Sequence, residues 1–261
     1  MNPGGDALTV AFADPVARVH GVARLGVSPQ GASGLLLLFH AGEPVAVSAD
    51  GAVALDAAPS SWADVQAAGI DAADDALQWA GDEGALDLRL EPLHPAAEVG
   101  GGTEEALRVT GSATIGDRRL RLDGLGQRTR SAAAPDWERT ELARTVQVWL
   151  GDARAVTLTA VRPKGRAHGE EEVEAVLLEP EGVVPVPDAR LSTTSDAEGR
   201  QRHAGLELWM SDDGPVHRIA GEAVAGTTLD LGRLRLDTAF FTWRSAGTEG
   251  AGRYDVLRRV R

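Results

Sequence analysis

At 261 residues, with 43% hydrophobic and 25% charged side chains, the chain is long enough for one large domain or two ordinary ones with cores of their own. It has no cysteine, which excludes a disulfide framework, a thiolate metal site and a cysteine nucleophile. A net charge of -13 lacks the basic surface that releases counterions from phosphate, so no nucleic-acid partner is expected.

Met1–Gly5 is polar and no apolar leader segment follows it. The longest apolar run, Leu35–Phe39, is far short of the ~20 residues of a membrane helix. No membrane insertion is expected, and the cytoplasm is the expected location. Ser60–Trp79 reads either as a helix capped by Ser60 or Ser61, or as short strands at 64–70 and 76–80 joined by the polar turn Asp71–Asp75. We favour the strands.

From there apolar and polar residues alternate with period two. Leu86–Leu90 alternates, as does Leu107–Ile115. Gly116-Asp117 then turns the chain and Arg119–Asp123 returns, a hairpin with a two-residue turn. Pro92–Thr103, with its Gly100-Gly101-Gly102 run, is expected as a mobile loop or an insertion. The small, non-periodic stretch Ser131–Pro135 marks a lobe boundary. Downstream, hairpins recur as Val146–Leu150 with Ala155–Val161, Val173–Leu178 with Val183–Val186, Leu206–Met210 with Val216–Val224, and Leu234–Trp243 with Arg253–Val260. Strands spaced this evenly predict an all-β protein of antiparallel barrel or sandwich lobes, residues 1–130 forming the first and 131–261 the second. Their similar strand content is compatible with an old duplication.

The centre of the chain reads Leu122-Asp123-Gly124-Leu125-Gly126-Gln127-Arg128-Thr129-Arg130-Ser131, then Ala132-Ala133-Ala134-Pro135-Asp136-Trp137. It resembles the junction motif of the hydroxyneurosporene synthase (carotenoid hydratase) and tocopherol-cyclase-like superfamily of tandem lipocalin-type proteins. Gly124, Gly126, Arg128, Ser131, Asp136 and Trp137 fall on matching positions. Leu90-Glu91-Pro92, Phe241-Thr242-Trp243 and Gly250–Asp255 extend the resemblance over residues 60–261. Arg130 stands where the motif has His, Ala132-Ala133 where it has Trp-Gly, and Pro135 where it has its second Arg. The resemblance implies two lipocalin-like lobes, and water addition to, or ring closure of, an isoprenoid double bond.

Arg128, Asp136 and Trp137 form the nearest thing to a polar cluster. A carboxylate and a guanidinium there suit orienting a polar group on an apolar ligand, and equally suit a salt bridge between lobes. Asp136, if desolvated, is the candidate catalytic acid. Six Trp beside one Tyr and four Phe suit a cup for a large apolar ligand, and Trp149 and Trp209 join Arg128 and Trp137 as candidate ligand contacts. The histidines have no metal-ligand spacing, and Glu170-Glu171-Glu172 reads as a solvated turn, so no metal is expected. Gly124-Leu125-Gly126 ends a hairpin with no helix after it, so it is no dinucleotide fingerprint and no cofactor is implied. Three functions follow: binding of an apolar isoprenoid- or lipid-like molecule, an acid-catalysed hydratase or cyclase, or an accessory protein with filled lobes. A cavity of several hundred cubic ångströms separates the third from the others. The oligomeric state stays open.

Overall fold

The computed structural model describes residues 6–55, 57–99, 101–131, 136–151, 154–167, 169–211 and 213–260. Among them the regular elements are strands and one turn of 3-10 helix, Trp62–Asp64, as the alternation predicts. The chain divides into two compact units between positions 134 and 135. The stretch expected as the boundary, 131–135, lies outside the described residues except for Ser131.

The N-terminal unit contains β1 (Asp6–Asp14), β2 (Val19–Ser28), β3 (Gly31–His40), β4 (Glu43–Val53), β5 (Ile70–Ala72), β6 (Ala76–Gly81), β7 (Gly84–Pro92), β8 (Ala97–Val99), β9 (Gly102–Ile115) and β10 (Arg118–Ser131). They form one curled antiparallel sheet in the order β4-β3-β2-β1-β10-β9-β7-β6-β5, with β8 added on β9. The C-terminal unit contains β11 (Thr140–Leu150), β12 (Ala155–Pro163), β13 (Glu172–Glu179), β14 (Gly182–Val186), β15 (Asp188–Ser195), β16 (Gln201–Trp209), β17 (Val216–Asp230), β18 (Leu234–Ser245) and β19 (Thr248–Arg259). Its order is β14-β13-β12-β11-β19-β18-β17-β16-β15. Without β8 the two orders are the same. In each, the first four strands step outward from the first, the chain crosses to the far edge, and the last strand returns to pair with the first.

A glycine pair repeats with the topology. Gly126 in β10 pairs with Phe12, and Gly252 in β19 pairs with Val148. A Cβ on Gly126 would lie 2.4 Å from the Ala11 carbonyl oxygen, and one on Gly252 2.0 Å from that of Gln147. Neighbouring backbones come too close there for any side chain. Gly124-Leu125-Gly126 therefore sits within a 14-residue strand, not at the end of a hairpin.

Several expectations are corrected. Trp62–Asp64 is a 3-10 turn because the Asp64 carboxylate accepts the N–H groups of Ser60 (2.8 Å) and Ser61 (2.9 Å), fixing a bend where a strand was expected. The strand expected at 64–70 is not formed there; β5 is Ile70–Ala72 and takes in the first two residues of the stretch expected as the turn Asp71–Asp75. In the Pro92–Thr103 loop, Leu93 donates to the Ala106 carbonyl at 2.9 Å and β8 pairs with β9; Gly100 lies outside the described residues. β1 to β4 and β15 carried no alternation signal. β1 and β2 are buried on both faces, and a strand covered on both sides reads as a continuous apolar run.

The N-terminal core gathers Leu8, Val10 and Phe12 with Leu36, Leu38, Trp79, Leu88 and Leu107. Val65 and Ala67 plug its interior. Ala68 donates its N–H to Asp50 (2.6 Å), and its carbonyl accepts from Ser48 Oγ (3.0 Å) and the Trp79 indole (3.1 Å). These bonds tie the plug to side chains of the edge strand β4 and to Trp79 of β6. The C-terminal core gathers Val146, Val148, Leu158, Leu206, Phe241, Trp243 and Tyr254. Phe241 stacks on Trp243 with ring centroids 5.1 Å apart.

Candidate functional site

In the C-terminal unit, side chains of alternate residues share the core face. Along β11 these are Leu150, Val148 and Val146, and the next in phase is Arg144, then Leu142. Along β12 they are Val156, Leu158 and Ala160, and the next is Arg162. Along β19 they are Tyr254 and Val256, and the next is Arg258. The ladder sets these residues in rows. One row reads Arg162, Leu142, Arg258, Arg235 across β12, β11, β19 and β18. The next inward reads Ala160, Arg144, Val256, Asp237, and the third Leu158, Val146, Tyr254, Ala239. Apolar residues thus give way to arginine at one end of the core.

A cavity of about 670 Å³ opens at that end, within the roughly 300–1,000 Å³ of small-molecule sites. Its wall includes Leu142, Arg144, Arg162, Thr193, Tyr254 and Arg258. The Tyr254 hydroxyl and Thr193 Oγ1 are hydrogen-bonded at 2.7 Å, β15 supplying the threonine. Behind the wall, buried carboxylates hold the arginines. Glu171 pairs with Arg144, and Asp237 pairs with Arg258 at 2.7 Å and with Arg235 at 2.9 Å. Glu171 was expected in a solvated turn; it is instead almost fully buried, because Arg144 in phase with the core needs a counter-charge. Arg162 meets Glu141 only at 4.0 Å. Among the described residues the Nε–H groups of Arg144, Arg162 and Arg258 are buried without an acceptor.

The corresponding row of the N-terminal unit carries an ion pair. Two residues past its own glycine, β10 carries Arg128 where β19 carries Tyr254. Arg128 pairs with Glu105 directly across the ladder and donates to the Asp74 carbonyl. Arg130 binds the Asp74 carboxylate at 2.6 Å. Arg128, expected at a ligand, is thus engaged by groups of its own unit.

The other expected residues lie away from the cavity wall. Asp136 is exposed; its carboxylate accepts the Glu138 N–H at 3.0 Å and its carbonyl accepts those of Arg139 and Thr140. It shapes the turn before β11. The Trp137 carbonyl accepts from Arg259 at 3.1 Å. Trp149 is buried, but its position in β11 is out of phase with Val146, Val148 and Leu150, so it stands on the sheet face opposite the core. Trp209 is likewise out of phase with Leu206 and Leu208, and the Arg190 guanidinium covers its ring at 4.6 Å. The tryptophan on the core face is Trp243, whose indole N–H has no acceptor. Among the described residues no three His, Asp or Glu gather as a metal site; His168 lies outside them. No helix among them is long and apolar enough to cross a membrane.

A family profile described as Domain of unknown function (DUF7064) matches residues 5–260. The chain belongs to the DUF7064 family. No curated protein matches this DUF7064 sequence. Solved structures share its fold at low identity. A protein from Nitrosomonas europaea, provisionally called AttH, superposes with a TM-score of 0.68 at 12% identity, covering 98% of this chain and 93% of that one. Kievitone hydratase from Nectria haematococca gives 0.63 at 11%, covering 98% and 89%. CghA with Sch210972 gives 0.61 at 12%, with the same coverage. The DUF7064 chain thus has the lipocalin-like fold these proteins share.

Proposed function

We propose that this DUF7064 protein is a cofactor-independent hydratase or cyclase that holds a hydrophobic small molecule in the C-terminal cavity and acts on one of its double bonds. The observation that carries this reading is the Tyr254–Thr193 hydroxyl pair in the wall of a cavity of ligand size. A filled accessory lobe has no such space. The fold shared with kievitone hydratase supports hydration over binding alone. The resemblance at the centre of the chain supports an isoprenoid-type substrate.

The chemistry needs a proton delivered to one carbon and water, or another part of the same molecule, bonded to the other. Tyr254 is fully buried and hydrogen-bonded to the partly exposed Thr193, so the proton passes from the tyrosine through the Thr193 hydroxyl, and its replacement returns from the incoming water by the same route. The arginine N–H groups, held in place by buried carboxylates, are set to bind a polar oxygen of the substrate away from the reacting carbons. We put the proton on Tyr254 rather than on Asp136, because Asp136 is exposed and does not line the cavity.

The test is a panel of isoprenoids and prenylated phenols incubated with the protein in water enriched in heavy oxygen, with products read by mass spectrometry. A product carrying one heavy oxygen marks a hydratase, and an isomer marks a cyclase. The Tyr254→Phe variant is expected to keep ligand affinity and lose product. Compounds that bind and return unchanged leave binding as the function, and a panel that nowhere binds refutes the site.

A further inference from the structure

We infer that the ligand of the C-terminal cavity carries a carboxylate at the end of an apolar body. This rests on the reading of that cavity as the ligand site. The chain is acidic, at -13 overall, yet the cavity wall presents Arg144, Arg162, Arg258 and Arg259 against Glu141 alone. The carboxylates that offset these arginines stand elsewhere. Glu171 and Asp237 are buried and do not line the cavity, and Asp237 divides itself between Arg258 and Arg235. Arg259 reaches Glu138 at 3.5 Å and Arg162 reaches Glu141 at 4.0 Å, both long for a charge-assisted hydrogen bond.

Guanidinium groups out of bulk water hold their positions only if their donors are satisfied. Among the described residues three Nε–H groups here have no acceptor, and as these are buried a ligand would meet the exposed part of each arginine side chain. Arg162 and Arg258 flank Leu142 on one row, two strand spacings apart, or roughly 10 Å between backbones. Side chains of that length converge easily on one group between them. Arg144 stands one row inward. A planar carboxylate has two acceptor oxygens and suits the donor fork of arginine. The apolar part of the ligand would then lie against Leu142, Leu191 and Val256. An amine would meet like charge, and a neutral alcohol would leave the donors unfilled.

The experiment is calorimetric titration of the full chain with decanoate, decanol and decylamine, three probes with the same tail. Decanoate is expected to bind at least about tenfold more tightly than decanol, and decylamine more weakly than either. In Arg162→Met the decanoate preference is expected to fall about tenfold while decanol affinity holds. Arg162 is chosen because its partner Glu141 is not buried, so the variant leaves no stranded interior charge. Equal binding of decanoate and decanol overturns the carboxylate and leaves the cavity as an apolar site. Tighter binding of decylamine overturns it likewise. No binding of any probe overturns both the carboxylate and the site. The comparison on the unaltered protein stands whether or not the variant folds.

Discussion

His20 makes the N-terminal unit sensitive to acid by an amount that follows from its setting. The side chain is buried in β2, and burial pushes its pKa from 6.5 down to about 4. The nearby Asp14 carboxylate opposes the shift and Arg18 adds to it, both to a lesser degree. The imidazole therefore stays neutral in the folded chain at pH values where the unfolded chain protonates it. Between pH 6.5 and about 4 the unfolded state binds more protons, so stability falls as pH falls. His20's share is fully present above 6.5 and fully lost below about 4. A gap of about two and a half pH units, each worth about 1.4 kcal/mol, comes to about 3 kcal/mol. Two measurements check this. The carbon-bound imidazole protons of His20 should titrate by NMR with a midpoint near 4. In urea unfolding, wild type should lose about 2–3 kcal/mol more than His20→Gln between about pH 7 and about pH 4.5. A midpoint near 6.5, or pH profiles that run parallel in the two proteins, refutes the argument.

Other expectations follow from the same structure. Gly252→Ala places a methyl group 2.0 Å from the Gln147 carbonyl oxygen and 2.7 Å from the Trp243 indole nitrogen. It should cost about 3 kcal/mol or more in denaturant unfolding, whereas Gly51→Ala, in open space and without a positive φ, should cost far less. Phe241→Ala removes a fully buried ring stacked on Trp243 and should cost about 3–5 kcal/mol, with a shift in tryptophan fluorescence. Arg144→Met removes the Arg144–Glu171 ion pair and should destabilise the unit, and a double-mutant cycle with Glu171→Gln should show coupling between the two residues of about 0.5–3 kcal/mol. Asp136→Asn should leave turnover unchanged if Tyr254 is the proton donor, and loss of turnover with ligand affinity intact would return that role to Asp136.

The hairpins of this protein could be read where one face of a strand is wet. Leu86–Leu90 and Leu107–Ile115 alternate because every second side chain is in the core. β1 and β2 gave no such sign, since both faces are buried and the alternation vanishes. β15 was missed for the opposite reason. Its core-facing positions Leu191 and Thr193 are mixed with serine and threonine, so contrast between its faces is slight. Losing β15 hid Thr193 and with it the hydroxyl pair. The tryptophans were chosen by residue type and not by phase. Counting in twos from Val146 and from Leu206 sets Trp149 and Trp209 on the far face, and counting from Phe241 sets Trp243 on the near one. The same count finds the arginines: Arg144, Arg162 and Arg258 each sit in step with apolar residues, an expensive place for a charge and so a sign of purpose. The pairing of Arg128 with Glu105 could not be read, because it depends on the register of β9 against β10.

The meeting of first and last strands at the middle of each sheet has a consequence for how the chain is made. Ala7 lies opposite Ser131, and Leu142 opposite Arg258, so each unit starts and finishes at the same end of one strand pair. During synthesis the central seam of a unit has to wait for its final strand to leave the ribosome, while the four-strand meander before it can already zip up. A module with its two ends side by side can also be copied in tandem through a short joint without cutting any ladder. That economy accounts for one strand order appearing twice in a single polypeptide.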